Sequence, residues 1–91
     1  MSSAKFYVIH IIPKPEVSSD DIKAVMNKAL DWYQASSSFW VVYSTSDAKK
    51  WYARLTESVK DEGFVFICEL DIGNRAGWMK KTFWEWLNKE R

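Results

Sequence analysis

Three segments of the chain would be apolar on both faces if each formed a β-strand. They are residues 6–12, 39–43 and 64–70, and they are rich in the aromatic and β-branched residues that favour strands. A strand with one solvated face would alternate apolar and polar side chains, and these segments do not. A sheet made from them therefore needs an apolar cover on each side.

A helix is predicted after the first strand. Ser18 and Asp21 have the spacing of a capping box, and apolar side chains then recur every three or four residues, as on one buried helix face. This stripe consists of Ile22, Val25, Met26, Ala29, Leu30 and Tyr33. Residues 32–35 could either end the helix or form a short strand. A hairpin through Ser36–Ser38 is the preferred interpretation.

Two more helices are predicted further along the chain. The first begins at Ser46 or Asp47, which can cap it, and ends near Gly63. Its apolar stripe consists of Ala48, Trp51, Tyr52, Leu55 and Val59. Residues 71–77 are rich in turn formers and predict a loop, and the last helix runs from about residue 78 to residue 89.

The order of these elements indicates the fold class. Strand, helix, short strand, strand, helix, strand and helix is typical of an α+β sandwich with a ferredoxin-like βαββαβ core and an additional C-terminal helix. We expect a single domain over residues 1–91, with its core in residues 5–72 and a C-terminal loop and helix in residues 73–91. Right-handed crossovers would place both main helices on one face of the sheet.

The second face of this sheet has two candidate covers, the C-terminal helix and a second copy of the chain. Left open, it would form a larger apolar patch than monomers usually carry. We therefore expect a homodimer, with the C-terminal segment contributing to the cover. The predicted interface residues are Tyr7, Ile9, Ile11, Trp40, Val42, Val65 and Ile67.

The composition excludes several classes of protein. Aromatic residues make up 16% of the 91 residues and the formal net charge is +1, which excludes a disordered chain and a strongly basic one. Uninterrupted apolar runs are far shorter than the ~20 residues that span a bilayer, so no membrane contact is expected. The single cysteine, Cys68, and the lack of a secretory signal after Met1 predict a cytoplasmic protein.

Positive charge is concentrated at the C-terminus. Residues 73–91 contain five basic and two acidic residues, and Trp84 is predicted to share a helix face with several of the basic ones. Aromatic and basic side chains together suit base stacking with phosphate neutralisation, a protein-binding hot spot, or packing on the sheet with the lysines extended to water. The predicted contact residues for nucleic acid or a protein partner are Arg75, Lys80, Lys81, Trp84 and Arg91.

Few residues suggest catalysis or metal binding. One histidine and one cysteine exclude a zinc site with three or four N/S ligands. His10 is best explained as a partly buried strand residue, and pairing with Cys68 as a nucleophile has no supporting motif. Glu69 and Asp71 could hold Mg²⁺, but a polar strand end followed by a turn explains them better. No catalytic residue and no cofactor is predicted.

Several short motifs along the chain occur together in one known family. They are Lys14-Pro15 after the first strand, the strands Ser38–Ser44 and Phe64–Leu70, and the pairs Gly77-Trp78 and Trp86-Leu87. The chain resembles the SinR-like small proteins, which are similar to the Cas-two type subunits of CRISPR adaptation. The resemblance implies a ferredoxin-like core, a homodimer and binding of duplex DNA or RNA, and it leaves open a metal-dependent nuclease. Those families commonly end the first strand with an Asp, where this chain has Ile11.

Three functions are therefore expected in order of preference. The first is a small homodimeric, non-enzymatic protein of a mobile-element or defence context that binds nucleic acid or a nucleic-acid-processing partner. The second is an adaptor or inhibitor that binds a protein through an aromatic surface. The third is a metal-dependent nuclease using Glu69 and Asp71, which is disfavoured because Ile11 replaces the first-strand Asp.

Overall fold

The computed structural model describes residues 3–91. Met1 and Ser2, at the start of the stretch from which no secretory signal was predicted, lie outside the described residues. The elements follow the predicted order. They are β1 (Lys5–Ile12), α1 (Ser19–Met26), β2 (Asp31–Gln34), β3 (Phe39–Ser44), α2 (Ala48–Val59), β4 (Phe64–Leu70) and α3 (Lys81–Leu87).

The four strands form one antiparallel sheet in the order β2-β3-β1-β4. Together with three helices this makes a small α+β fold, as the sequence predicted. Residues 35–38 connect β2 to β3 as a hairpin, which confirms the preferred interpretation of the three serines. Helices α1 and α2 pack on the same face of the sheet, as right-handed crossovers require.

Helix α1 is shorter than its apolar stripe predicted. It begins with a reciprocal capping box, in which the Asp21 N–H donates to Ser18 Oγ at 3.1 Å and the Ser18 N–H donates to Asp21 Oδ2 at 3.0 Å. It ends at Met26, so the predicted continuation to Tyr33 is wrong. The reason is pairing with β3: the Leu30 N–H donates to the Tyr43 oxygen at 2.9 Å, and β2 follows directly.

Helix α2 begins where the capping residues predicted. Asp47 is its N-cap and accepts a hydrogen bond from the Lys50 N–H at 2.9 Å. Trp51, Leu55 and Val59 are buried. Tyr52 is 53% exposed, so its predicted place on the buried face is wrong. It lies one position beyond Trp51 and turns away from the sheet.

The larger core lies between the sheet and helices α1 and α2. Its buried members are Tyr7, Ile9, Ile11, Ile22, Met26, Trp40, Val42, Trp51, Leu55 and Val59. Among the described residues, Ser44 is the buried polar one. Its hydroxyl accepts a hydrogen bond from the Trp51 indole N–H at 3.1 Å. This bond satisfies the polar edge of a tryptophan that is otherwise enclosed by apolar atoms.

This core corrects the predicted dimer interface. Five of its proposed members are at most 5% exposed and the other two pack against the same core beneath the chain's own helices. The residues concerned are Tyr7, Ile9, Ile11, Trp40, Val42, Val65 and Ile67. The prediction that these side chains pack against a second copy is wrong, because each strand has two apolar sides and the chain's own helices cover this one.

The C-terminal segment covers part of the second face of the sheet. Phe6, Val41, Phe83 and Leu87 are buried there, and eight partly buried residues pack around them. These eight are Tyr33, Phe39, Tyr43, Leu70, Ile72, Met79, Trp84 and Trp86. The helix α3 therefore packs on its own chain. It spans seven residues rather than the predicted twelve, because Lys80 is extended, with ψ of 148°, and residues 78–79 precede the first turn.

The end of α2 passes close to the end of β1. Asp61 takes the left-handed conformation, with φ of 71°, and the chain then enters β4 through Gly63. A Cβ atom on Gly63 would overlap the main-chain oxygen of Ile12 and lie 3.2 Å from the Val59 Cα. Glycine is therefore required here by the close approach of two backbones.

We expect Gly63→Ala to lower the free energy of unfolding by about 1–3 kcal/mol, because backbone at Ile12 must move to admit the methyl group. Gly77→Ala is the matched control, since nothing lies within 4 Å of a Cβ at that position. Urea unfolding of both variants measures the difference. Equal stability of Gly63→Ala and the wild type would contradict the close approach.

Candidate functional site

A strip of the second sheet face stays uncovered beside α3. In the pairing of β1 with β4, Ile12 lies opposite Phe64 and His10 lies opposite Phe66. These four side chains are on the same face of the sheet as the core that α3 covers. Ile12 is 46% exposed, Phe64 69% and Phe66 65%. Cys68, on the same strand, is also exposed. We call Ile12, Phe64 and Phe66, with His10 and Cys68, the β4 strip; it holds the largest apolar exposure in the sheet.

Histidine and cysteine meet on this strip without forming a catalytic pair. His10 lies opposite Phe66 and Cys68 opposite Val8, which makes His10 and Cys68 diagonal neighbours on adjacent strands. The Cys68 thiol donates to its neighbour's main-chain oxygen at 3.5 Å instead. Both side chains are exposed among apolar residues, and the geometry provides no third group that would orient a base.

The loop between β4 and α3 is built from turn-forming side chains. Asp71 Oδ1 accepts the Gly73 N–H at 2.9 Å, which closes a turn just after β4. Arg75 then reaches back to α3, where its Nη2 donates to Asn88 Oδ1 at 2.6 Å and its guanidinium lies 5.7 Å from the centre of the Trp84 ring. The loop is therefore fastened to the helix that follows it.

An apolar cleft of about 260 Å³ lies between this loop, α3 and the sheet. Its walls include Val8, Phe39 and Leu70 from the sheet and Met79 and Trp84 from the C-terminal segment. Arg75 lies at its polar edge. The cleft explains why Trp84 is only half-buried: one side contacts Phe83 and Arg75, and another faces this space.

The most exposed aromatic side chain of the described residues stands beside two lysines. Trp78 is 98% exposed, and Lys80 and Lys81 are both exposed on the same short stretch. Within residues 3–91, neither lysine has an ion-pair partner within 4.0 Å. An indole with both faces in water and two unneutralised ammonium groups is an arrangement that packing does not explain.

Sequence reasoning did not include Trp78 among the contact residues. The pair Gly77-Trp78 entered only as part of the family resemblance, and the predicted helix placed Trp78 at its first turn. A signal was present: Trp78 directly follows Gly77, and Lys80 and Lys81 come two and three positions after it.

Arg91, which the sequence predicted as a contact residue for nucleic acid or a protein partner, is engaged by its own chain. Its Nη1 donates to Asp31 Oδ2 at 2.8 Å and its Nη2 to the main-chain oxygen of Trp86 at 2.6 Å. The guanidinium lies 4.8–5.3 Å from the ring centres of Phe6, Tyr43 and Trp86. The Arg91 side chain is 12% exposed. These contacts form what we call the Arg91 clamp, which fastens the end of the chain to the sheet.

The clamp depends on ionised Asp31. Burial acts to raise the pKa of this carboxyl group, but hydrogen bonds from Arg91 and the Trp32 main chain, with the Trp86 indole N–H nearby, outweigh it. The net result is a pKa below the usual 3.8. Lys89 adds a second, more exposed ion pair at 3.4 Å. Asp31 therefore joins the start of β2 to the C-terminal residues.

The two weak metal candidates are used elsewhere. Glu69 lies 3.5 Å from the Lys5 ammonium group, and Asp71 closes the turn at Gly73. Burial, and next the Glu69 carboxylate, raise the pKa of the neighbouring Tyr7 hydroxyl. The part of the chain that the structure describes holds no group of three or more His, Cys, Asp or Glu residues arranged as a metal site.

No protein-family model, curated protein or solved structure matches the chain. No helix within residues 3–91 is long and apolar enough to cross a membrane.

We expect Arg91→Ala to lower the free energy of unfolding by about 2 kcal/mol, because it removes two hydrogen bonds from the guanidinium and three cation–π contacts. Lys5→Ala is the control: it breaks an ion pair whose side chains are both more than half exposed, which is worth little. Chemical unfolding compares the two. A loss no larger for Arg91→Ala than for Lys5→Ala would contradict the clamp.

Acidification should weaken the same clamp. The pKa of Asp31 is lower in the folded than in the unfolded chain, so its contribution is complete above about pH 4 and is lost as the pH falls below 3.8 through the folded value. The free-energy difference between the wild type and Asp31→Asn should therefore be greatest at neutral pH and shrink below pH 3.8. A difference that is constant from pH 7 to pH 3 would refute this.

Proposed function

We propose that this protein is a non-enzymatic, cytoplasmic nucleic-acid-binding subunit with a ferredoxin-like fold that acts as a homodimer, related to the SinR-like and Cas-two type proteins of mobile-element and defence systems. The strand order β2-β3-β1-β4, with both main helices on one face, supports the ferredoxin-like description. The motifs of the resemblance support the relationship.

One observation carries the binding proposal: the exposed Trp78 stands next to Lys80 and Lys81. An indole face can stack on any base, which is worth about 1–3 kcal/mol per base. Lysines beside it can neutralise the phosphates on either side. We call Arg75, Trp78, Lys80 and Lys81 the C-terminal surface.

The same observation favours a single strand over a duplex. Bases in a duplex are already stacked on their neighbours, and an indole gains contact only where a base is available to it. The surface is also small, with two unpaired lysines and Arg75, whose guanidinium is shared with Trp84 and Asn88. Such a patch matches a few nucleotides of a flexible strand rather than a long stretch of double helix.

The first strand supports a non-enzymatic protein. Ile11 stands where the related families commonly carry an Asp, it is 1% exposed, and it has no oxygen with which to bind a metal. Glu69 is paired with Lys5, so the disfavoured nuclease would depend on Asp71 alone at that end of the sheet.

The test is binding of a fluorescent single-stranded oligonucleotide, followed by anisotropy over a range of salt concentrations. We expect the affinity to fall with salt, with a slope of roughly −0.7 per phosphate contact. Trp78→Ala should weaken binding about tenfold without changing the slope. Lys80→Ala/Lys81→Ala should weaken binding and reduce the slope by about 1.4.

The adjacent lysines of α2 provide the matched control. Lys49→Ala/Lys50→Ala removes the same two charges from exposed positions on another element, so affinity and slope should match the wild type. Absence of binding at low salt would exclude the proposal, as would an equal loss from the two double variants. If Trp78→Ala abolished capture of a protein while the oligonucleotide did not bind, the adaptor function would replace it.

A further inference from the structure

The outer edge of β4 has unpaired main-chain groups. The Ile11 N–H donates to the Ser38 oxygen on the β3 side, and N–H and C=O groups alternate in direction along a strand, so His10 and Ile12 bond towards β4. Their partners Phe66 and Phe64 therefore bond inwards. The main-chain groups of Val65, Ile67 and Glu69 are left to face outwards, away from β1.

The other edge of the sheet is protected. Strand β2 has only four residues, and the Trp32 N–H is occupied by the Asp31 carboxylate at 2.9 Å. By contrast, β4 has seven residues, of which the first five are uncharged and the next is Glu69. Proteins usually block such an edge with charges, a proline or a short strand, and β4 has none of these before Glu69.

We propose that β4 pairs antiparallel with β4 of a second copy of this chain, about a two-fold axis at Phe66, so that two sheets join into one. This inference rests on the homodimer of the proposed function and specifies how it forms. An interface of this kind is self-complementary and closed, because the protected β2 edge cannot extend it into a fibre.

The pairing register follows from the direction of the main-chain groups and from the charge of the side chains that would lie opposite each other. Residues whose main-chain groups face outwards must lie opposite residues of the same kind in the second copy. This condition allows the two-fold axis to pass through any of several residues of β4. An axis at Phe66 places Val65 opposite Ile67 and Phe64 opposite Cys68, so the pairs within residues 64–68 are all uncharged, and Glu69 lies opposite Gly63, which precedes β4. An axis at Ile67 would place Glu69 opposite Val65 of the other copy. Pairing about Phe66 therefore buries the exposed aromatic residues without burying a carboxylate.

The area involved matches a modest dimer. Phe64 and Phe66, about two-thirds exposed, together leave roughly 250 Å² of apolar surface per copy. Cys68 and the main chain of five residues add to this, and about four new main-chain hydrogen bonds form. A standard interface buries about 800 Å² per partner. We therefore expect an interface smaller than the standard size and a dissociation constant in the micromolar range.

Disulfide trapping tests the register. In a Cys68→Ser background, Phe66→Cys places two cysteines opposite each other with Cα atoms about 4.5 Å apart, within the range that a disulfide spans. Phe64→Cys in the same background is the control, because its two copies would be about 13 Å apart along the strands. Mild oxidation should convert most of the first variant to covalent dimer and little of the second.

A second pair of variants separates edge pairing from packing of one sheet face on another. Phe66→Lys places two like charges at the two-fold axis. At about 100 µM, a concentration well above a micromolar dissociation constant, sedimentation should therefore show a monomer for this variant and a dimer for the wild type. Ile12→Lys adds the same charge to the β4 strip one strand further in and should leave the dimer intact. Both positions are at least 46% exposed, so folding is preserved.

The outcomes distinguish this inference from the proposed function. A dimer that Ile12→Lys dissociates as readily as Phe66→Lys, or equal trapping of both cysteine variants, would overturn edge pairing and leave the homodimer standing. A monomer at high concentration would overturn both. Oligonucleotide binding by the monomeric Phe66→Lys variant reports on the C-terminal surface of a single copy, because no residue of that surface lies on β4.

Discussion

A sheet with two apolar faces and only two helices above it needs a second cover, and this requirement shapes the rest of the molecule. The C-terminal residues provide that cover, but α3 has seven residues and a helix that short does not form by itself in water. It is held by the side chains it buries, Phe83 and Leu87, and by the Arg91 clamp at its end. Residues 71–91 are fastened at the Asp71 turn and at Asp31, and Trp78 lies exposed between these two points.

The cover is also too small, and its limits determine which surfaces are left. Helix α3 covers the part of the second sheet face around Phe6 and Val41. The part of the same face near Phe64 stays exposed. The exposed aromatic residues are consequently on an edge strand, next to main-chain groups that have no partner. Apolar exposure and unpaired backbone coincide at β4, and the proposed pairing with a second β4 would satisfy both at once.

The strands and the starts of α1 and α2 could be predicted because their causes are local. Residues 64–70 form β4 with the predicted bounds, and the capping residues Ser18 and Asp47 begin their helices. The end of α1 could not be predicted, since the apolar stripe continues to Tyr33 while Leu30 pairs with a distant strand. Which side of each strand lies under the helices was also hidden, as both sides are apolar. The sequence did contain one indication of the exposed side: the less apolar residues His10 and Cys68 both lie on the side that stays partly open.

The residues of the proposed binding surface were partly predictable for the same reason. Lys80 and Lys81 are exposed as their charge indicates, but Arg91 pairs with a carboxylate sixty residues earlier in the chain, which no local pattern reveals. Charge concentration alone therefore predicts too large a surface. In the folded chain the proposed surface consists of Arg75, Trp78, Lys80 and Lys81.

If the β4 edges pair about Phe66, the two-fold axis is perpendicular to the joined sheet and keeps both C-terminal segments on one side. Two weak surfaces would then face the same strand of nucleic acid, and binding of the first would raise the effective concentration of the second. Dimer formation would in this way compensate for the few basic residues in each copy.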